Sequence, residues 1–133
     1  MVIVDTTVWV DYLNGAATPE AAWLERETSR QRLGLLDLML CEILQGLSTD
    51  ASAARVFRHL RRFEILESGG VELATAAARN YRLLRTRGRT VRKTIDCLIG
   101  TFCLLHDHAL LHSDRDFDAF EEVLGLQVVS SRG

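Results

Sequence analysis

The chain has 133 residues, 47% of them hydrophobic and 26% charged, with a net charge of -2. This length suffices for one hydrophobic core but not for two, so we expect a single domain over residues 1–133, with residues 130–133 as a loose tail. No basic leader or long apolar segment occurs, which argues against secretion and membrane insertion and favours a cytoplasmic protein.

The first part of the chain alternates short apolar runs with segments of helical character. Helix starts are indicated by Thr18 with Pro19, and by Asp37, because a hydroxyl or carboxylate can cap the free N–H groups of a first turn. The predicted elements are, in order, a strand at Val2–Val4, helices at 6–13 and 18–29, a strand at 32–36 and a helix at 37–47.

The second part continues the alternation to the end of the chain. The long helix before Gly88 is predicted to turn Val71, Ala74, Ala78, Tyr81 and Leu84 inward, and the cysteines Cys41, Cys97 and Cys103 are predicted to lie in the core. The predicted elements are a helix at 53–63, a strand at 64–67, helices at 70–87 and 94–107, a strand at Ala109–Leu111, a helical stretch at 117–124 and a strand at 126–129.

Strands that alternate with helices in this way indicate parallel crossovers. The predicted fold is therefore α/β, a three-layer α/β/α sandwich around a central, mainly parallel sheet.

Acidic residues stand at the positions where such a sheet binds ligands, beyond the carboxyl ends of its strands. Asp5 follows the first strand, and Asp114 and Asp116 follow the strand at Ala109–Leu111. Asp96 lies in the first turn of a helix, and Glu42 lies in mid-helix among apolar neighbours, where an unpaired carboxylate is costly to bury. Four separate segments can thus deliver acids to one place.

Each acid taken alone also has an ordinary structural explanation. Asp5 can cap the following helix, and Asp96 can complement a helix dipole. Asp114 and Asp116 can be solvated loop residues, and Glu42 can extend to the surface. Only the occurrence of all these acids together favours a shared binding site.

Four segments together resemble the PIN-domain nucleases, and among these the VapC toxins of bacterial type II toxin–antitoxin systems. The resemblance covers essentially the whole chain, with the motifs in the family's order. The segments are residues 2–13, residues 41–46, residues 94–100 and residues 110–117.

The resemblance implies roles for the acids and their neighbours. His112 departs from it, because family members often carry Thr or Ser there, and we assign it no catalytic role. The implied catalytic acids are Asp5, Glu42, Asp96 and Asp114, the implied metal ligands are Asp5, Asp96, Asp114 and Asp116, and Thr6 or Thr7 is the implied hydroxyl beside the metal.

The implied activity is endonucleolytic hydrolysis of RNA that leaves a 5′-phosphate and a 3′-hydroxyl. Mg²⁺ or Mn²⁺ suits a group of carboxylates, because both ions prefer oxygen ligands and can lower the pKa of a bound water. The resemblance also implies a homodimer and a VapB-like antitoxin whose tail covers the acidic pocket.

A basic centre adds a candidate RNA surface. Residues 55–93 hold eleven of the sixteen Lys and Arg but only three of the eighteen Asp and Glu. Such a patch fits an RNA partner, and it fits solvated helix faces equally well. The candidate phosphate contacts are Arg85, Arg87, Arg89, Arg92 and Lys93.

Three other functions are weighed against this one. An Asp-dependent phosphatase could use Asp5 as nucleophile, but Thr7 occupies the place of that motif's second acid. A PIN-like module could bind RNA or a partner without catalysis. Structural zinc is disfavoured, because Cys97, Cys103 and the nearby histidines lack the usual ligand spacing.

Overall fold

The computed structural model describes residues 1–131. The helices and strands fall close to the segments that the sequence predicts. The strands are β1 (Val2–Val4), β2 (Leu33–Leu36), β3 (Glu64–Leu66) and β4 (Ala109–Leu111). The helices are α1 (Thr6–Leu13), α2 (Pro19–Glu27), α3 (Asp37–Gln45), α4 (Asp50–Leu60), α5 (Gly70–Thr86), α6 (Thr94–Leu105) and α7 (Asp118–Leu124), with a 3₁₀ turn at Arg115–Phe117.

The four strands form one parallel sheet in the order β3-β2-β1-β4. The chain steps one way along the sheet from β1 to β3 and then returns past β1 to β4. Because such crossovers are right-handed, α1–α4 cover one face and α5 with α6 cover the other. The predicted three-layer α/β/α sandwich with a parallel sheet is confirmed.

The return of the chain makes a topological switch point at the carboxyl ends of β1 and β4. The two strands pair in parallel from Val2 with Ala109 to Val4 with Leu111. The backbone N–H of Asp5 donates to the carbonyl of Leu111 at 2.9 Å, which extends the pairing by one residue. Asp5 is therefore held beside the residues that follow β4.

Strands this short are stabilised by burial on both faces of the sheet. Every residue of β1 and β2 is buried, as apolar runs without polar alternation predict. Trp9, Phe117 and Phe120 are the largest fully buried side chains, and they fasten α1 and the segment after β4 to the core.

Three predicted features are wrong. In α5, Leu84 is buried and Tyr81 is partly buried as predicted, but Val71, Ala74 and Ala78 are exposed, and Leu73 and Ala77 are buried in their place. Cys41 is exposed, although Cys97 and Cys103 are buried as predicted. The segment at 126–129 was expected to be a strand, but it pairs with β4 at one position only, through a single bridge between Val128 and Leu110.

Of the predicted tail, residues 132–133 lie outside the described residues. Among residues 1–131, no helix is both long enough and apolar enough to span a membrane.

Candidate metal centre

Three carboxylates converge at the switch point. One oxygen each from Asp96, Asp114 and Asp116 lies within 4.8 Å of the others. The first turn of α6 supplies Asp96, and the loop after β4 supplies the other two. The structure thus brings together three of the acids that the sequence singles out.

Asp96 is the most informative member of this group. The residue is only 6% exposed, and its Oδ2 atom has no hydrogen-bond partner within the described chain. Burial, followed by the charge of Asp114, raises the pKa of Asp96 to about 6. A buried carboxylate oxygen without a partner is costly, so the donor set fits a hard cation such as Mg²⁺ or Mn²⁺, which prefers oxygen ligands.

Asp5 is buried at the end of β1, with 4% exposure. It occupies the N-cap position of α1, yet its side chain makes no capping hydrogen bond within residues 1–131. Burial raises its pKa to about 7, against the lowering effect of the Thr6 backbone N–H, and the charges of Asp96, Glu42 and Asp114 raise it further. Asp5 therefore lies in the electrostatic field of the other acids.

Glu42 of α3 lies outside the cluster of three aspartates and is bound to the start of α1 by a hydrogen bond. The Thr6 hydroxyl donates to Oε1 of Glu42 at 2.6 Å. Thr6 is partly buried, whereas Thr7 is exposed. Of the two hydroxyls considered from the sequence, the structure therefore links Thr6 to the acids.

The loop after β4 is shaped by its own polar groups. Oδ1 of Asp114 accepts from the backbone N–H of Asp116 at 2.9 Å, which opens the 3₁₀ turn. The backbone N–H of Asp114 donates to Nδ1 of His112 at 3.1 Å, and the His112 ring lies 5.0 Å from that of Phe117. His112 thus orients Asp114, a role that its place two residues before an acid could have suggested.

One contact in the site was not predicted at all. Nε of Arg92 lies 3.1 and 3.2 Å from the two carboxylate oxygens of Asp116. The Arg92 side chain is 74% exposed, whereas that of Asp116 is 10% exposed. An arginine from the loop before α6 is therefore bound to one of the three clustered acids.

The other candidate RNA contacts occupy different surroundings. Arg85 lies over the Tyr81 ring at 5.7 Å, and Arg89 pairs with Glu122 at 2.6 Å. Arg87 is exposed at the end of α5. Lys93 directly precedes α6, and its charge lowers the pKa of Asp96. Arg92 and Lys93 are thus the members of this set whose charges act on the acid group.

The zinc alternative finds no support in the described part of the chain. Among residues 1–131, the only group of three or more His, Cys, Asp or Glu side chains with metal-binding spacing is the Asp96, Asp114 and Asp116 group.

Comparisons with known proteins show the family and the fold of the chain. The family described as PIN domain matches residues 2–123. Ribonuclease VapC11 of Mycobacterium tuberculosis is 31% identical over 134 residues, covering 99% of this chain and 100% of that protein.

Two solved structures share the fold. VapBC2 from Rickettsia felis, bound to a DNA fragment from its promoter, matches with a TM-score of 0.77 and 16% identity over 97% of this chain and 98% of that one. A toxin–antitoxin complex from Klebsiella pneumoniae matches with a TM-score of 0.73 and 18% identity over 98% of each chain.

Proposed function

The chain belongs to the PIN domain family, in its VapC branch, and from this premise we propose that it is a Mg²⁺- or Mn²⁺-dependent endoribonuclease. We further propose that it is the toxin of a type II toxin–antitoxin pair. The observation that carries the proposed activity is the buried Oδ2 of Asp96, which lacks a protein partner within residues 1–131 and lies among further acids. The name of the Mycobacterium tuberculosis relative, a ribonuclease, supports RNA as the substrate.

Asp96, Asp114 and Asp116 would hold the metal, with Asp5 as a further ligand from the end of β1. The chemistry that a divalent cation would supply there is a lower pKa for a bound water and stabilisation of the leaving oxygen. The fixed backbone positions of β1, β4 and α6 orient these carboxylates before substrate arrives, which reduces the reorganisation that the reaction needs.

Glu42 would act as the proton acceptor for the attacking water. Its Oε1 is engaged by the Thr6 hydroxyl, which leaves Oε2 to accept a proton. Oδ1 of Asp114 is likewise engaged by a backbone N–H, which leaves Oδ2 for the cation. The cleavage that we propose leaves a 5′-phosphate and a 3′-hydroxyl.

The proposed partner is a VapB-like antitoxin whose tail covers the acidic pocket. The VapBC2 structure and the Klebsiella pneumoniae toxin–antitoxin complex, which share this fold, support an antitoxin as the partner. A groove of about 790 Å³ between α1, α3 and α4 includes Glu42 in its wall and offers a surface for such a segment. The family resemblance also leads us to propose a cytoplasmic homodimer built from one domain per chain.

Cleavage of RNA by the purified protein tests the activity. We expect cleavage with Mn²⁺ or Mg²⁺ and none with EDTA, and we expect Asp5→Asn and Asp96→Asn to lose at least about a hundredfold in rate, as removal of a charge-stabilising group does. Asp37→Asn, which changes an exposed acid at the start of α3, is the matched control and should cleave normally. Equal cleavage by all forms in EDTA would reject the mechanism, whereas RNA binding without cleavage would favour the non-catalytic module.

A further inference from the structure

Arg92 and Asp116 form an ion pair of unequal burial at the edge of the acid group. The Asp116 side chain is 10% exposed, whereas the Arg92 side chain is 74% exposed and contacts the carboxylate through Nε. The pKa of Arg92 is raised first by its bond to Asp116, with contributions from the charges of Asp114 and Asp96. The guanidinium therefore contacts Asp116 directly and lies in the electrostatic field of Asp114 and Asp96.

The backbone of Arg92 is fixed on both sides. Val91 is 3% exposed and belongs to the core, and α6 begins at Thr94. Arg92 can therefore leave Asp116 by rotation of its side chain alone, because the long, exposed stem has room in solvent.

Arg92 and a divalent cation compete for the same carboxylate. One oxygen of Asp116 lies within 4.8 Å of oxygens of Asp96 and Asp114, so a cation held by the three acids would share Asp116 with the guanidinium. The cation and the guanidinium are both positively charged and would repel each other. An ion pair with a solvent-exposed guanidinium is weak, so this repulsion would outweigh it.

We propose that Arg92 is a displaceable counter-ion of the acid group, which releases Asp116 when a divalent cation binds and then contacts a phosphate of the RNA. This inference rests on the proposed metal-dependent nuclease. It assigns Arg92 two sequential partners, both anionic. The planar guanidinium suits the second partner, because it can form two parallel hydrogen bonds to a phosphate.

The two partners give opposite signs when Arg92 is removed. Without the guanidinium of Arg92, Asp116 has no positively charged partner in the protein that Mn²⁺ must displace. Arg92→Gln should therefore bind Mn²⁺ more tightly than the wild type. Without the phosphate contact, the same variant should cleave RNA more slowly at saturating Mn²⁺. An arginine that merely braces the loop gives weaker or unchanged metal binding, so the sign of the change separates the two roles.

Calorimetric titration with Mn²⁺ alone, with no RNA present, measures the first effect. We expect Arg92→Gln to lower the dissociation constant for Mn²⁺ by roughly fivefold, which corresponds to the loss of one exposed ion pair. Arg89→Gln is the matched control, since it removes the same charge from the same loop but breaks a pair with Glu122. In an Asp116→Asn background, Arg92→Gln should change Mn²⁺ affinity much less.

Cleavage assays at saturating Mn²⁺ measure the second effect. We expect kcat/KM of Arg92→Gln to fall by roughly tenfold, the size of one charged hydrogen bond, with partial recovery in Arg92→Lys. Equal or weaker Mn²⁺ binding by Arg92→Gln would overturn the inference, and so would an unchanged kcat/KM. If the wild type binds no Mn²⁺, the proposed metal-dependent function fails instead, and the two failures are distinguishable.

Discussion

The hydroxyl of Thr6 donates a hydrogen bond of 2.6 Å to Oε1 of Glu42, which joins the first residue of α1 to the middle of α3. Two elements that leave neighbouring strands, β1 and β2, are thereby fixed to one another at the site. Without this bond, Glu42 is free to adopt other side-chain rotamers, and its Oε2 loses its orientation.

Replacement of Thr6 tests this orienting role. We expect Thr6→Val to lower kcat for RNA cleavage by roughly ten- to a hundredfold, because a hydrogen bond to a charged group contributes about 1.5–3 kcal/mol. KM should change little. Thr6→Ser keeps the hydroxyl and should recover most of the rate. The exposed Thr7 is the comparison, and Thr7→Val should cost less than Thr6→Val. If Thr6→Val and Thr6→Ser lower kcat by the same factor, the Thr6 hydroxyl does not orient Glu42 for catalysis.

The raised pKa values of Asp5 and Asp96 predict how the free energy of unfolding depends on pH when metal is removed with EDTA. The pKa is about 7 for Asp5 and about 6 for Asp96, both above the ordinary 3.8. The folded protein therefore holds more protons than the unfolded chain between about pH 4 and pH 7. The resulting stabilisation is fully present below pH 3.8 and is lost as the pH rises through 7.

Urea denaturation in EDTA at several pH values measures this dependence. We expect the free energy of unfolding of the wild type to decrease between pH 4.5 and pH 8, by an amount on the order of a few kcal/mol. Asp5→Asn should flatten this decrease and be more stable than the wild type at the higher pH, because the amide stays neutral. Asp37→Asn should retain the wild-type slope. If the unfolding free energy of Asp5→Asn depends on pH as that of the wild type does, burial of the Asp5 carboxylate is not the cause of that dependence.

Packing behind the site gives a prediction about stability alone. A Cβ atom on Gly100 of α6 would lie 2.8 Å from Cδ1 of Phe120, which is fully buried. Gly100→Ala should therefore destabilise the protein by about 1–3 kcal/mol, despite a gain in helix propensity of up to about 1 kcal/mol.

The control for Gly100, which lies inside α6, is Gly46 at the carboxyl end of α3. A Cβ on Gly46 meets nothing nearer than 3.5 Å, and the residue has a φ of -78°. Urea denaturation should show Gly46→Ala to be near neutral, and Gly100→Ala combined with Phe120→Leu should regain part of the lost stability. A Gly100→Ala variant as stable as Gly46→Ala would contradict the close contact.

The sequence predicted the strands and the grouping of the acids because both depend on local patterns. Val2–Val4 and Ala109–Leu111 are short apolar runs that end at polar residues, and parallel strands bring such ends to one edge of the sheet. Asp5 and Asp114 could therefore be predicted to follow the carboxyl ends of two strands, whereas the pairing of those strands, β1 with β4, comes from the structure.

The features that sequence did not predict depend on tertiary context. The helix α5 is rich in alanine, so two stripes with helical spacing were available, and only packing against α6 selects Leu73 and Ala77 over Val71 and Ala74. The Arg92–Asp116 pair joins two loops, and no periodicity marks which arginine of a basic segment reaches which acid.

The most direct measurement of the central claim is the position of Mn²⁺ in a crystal soaked with that ion, located by its anomalous scattering. We expect a peak about 2.1–2.2 Å from carboxylate oxygens of Asp96 and Asp114, with Asp116 or Asp5 completing the protein ligands, and no such peak in Asp96→Asn. Absence of a peak at these carboxylates in crystals of a protein that still cleaves RNA would contradict the claim that they form the metal site.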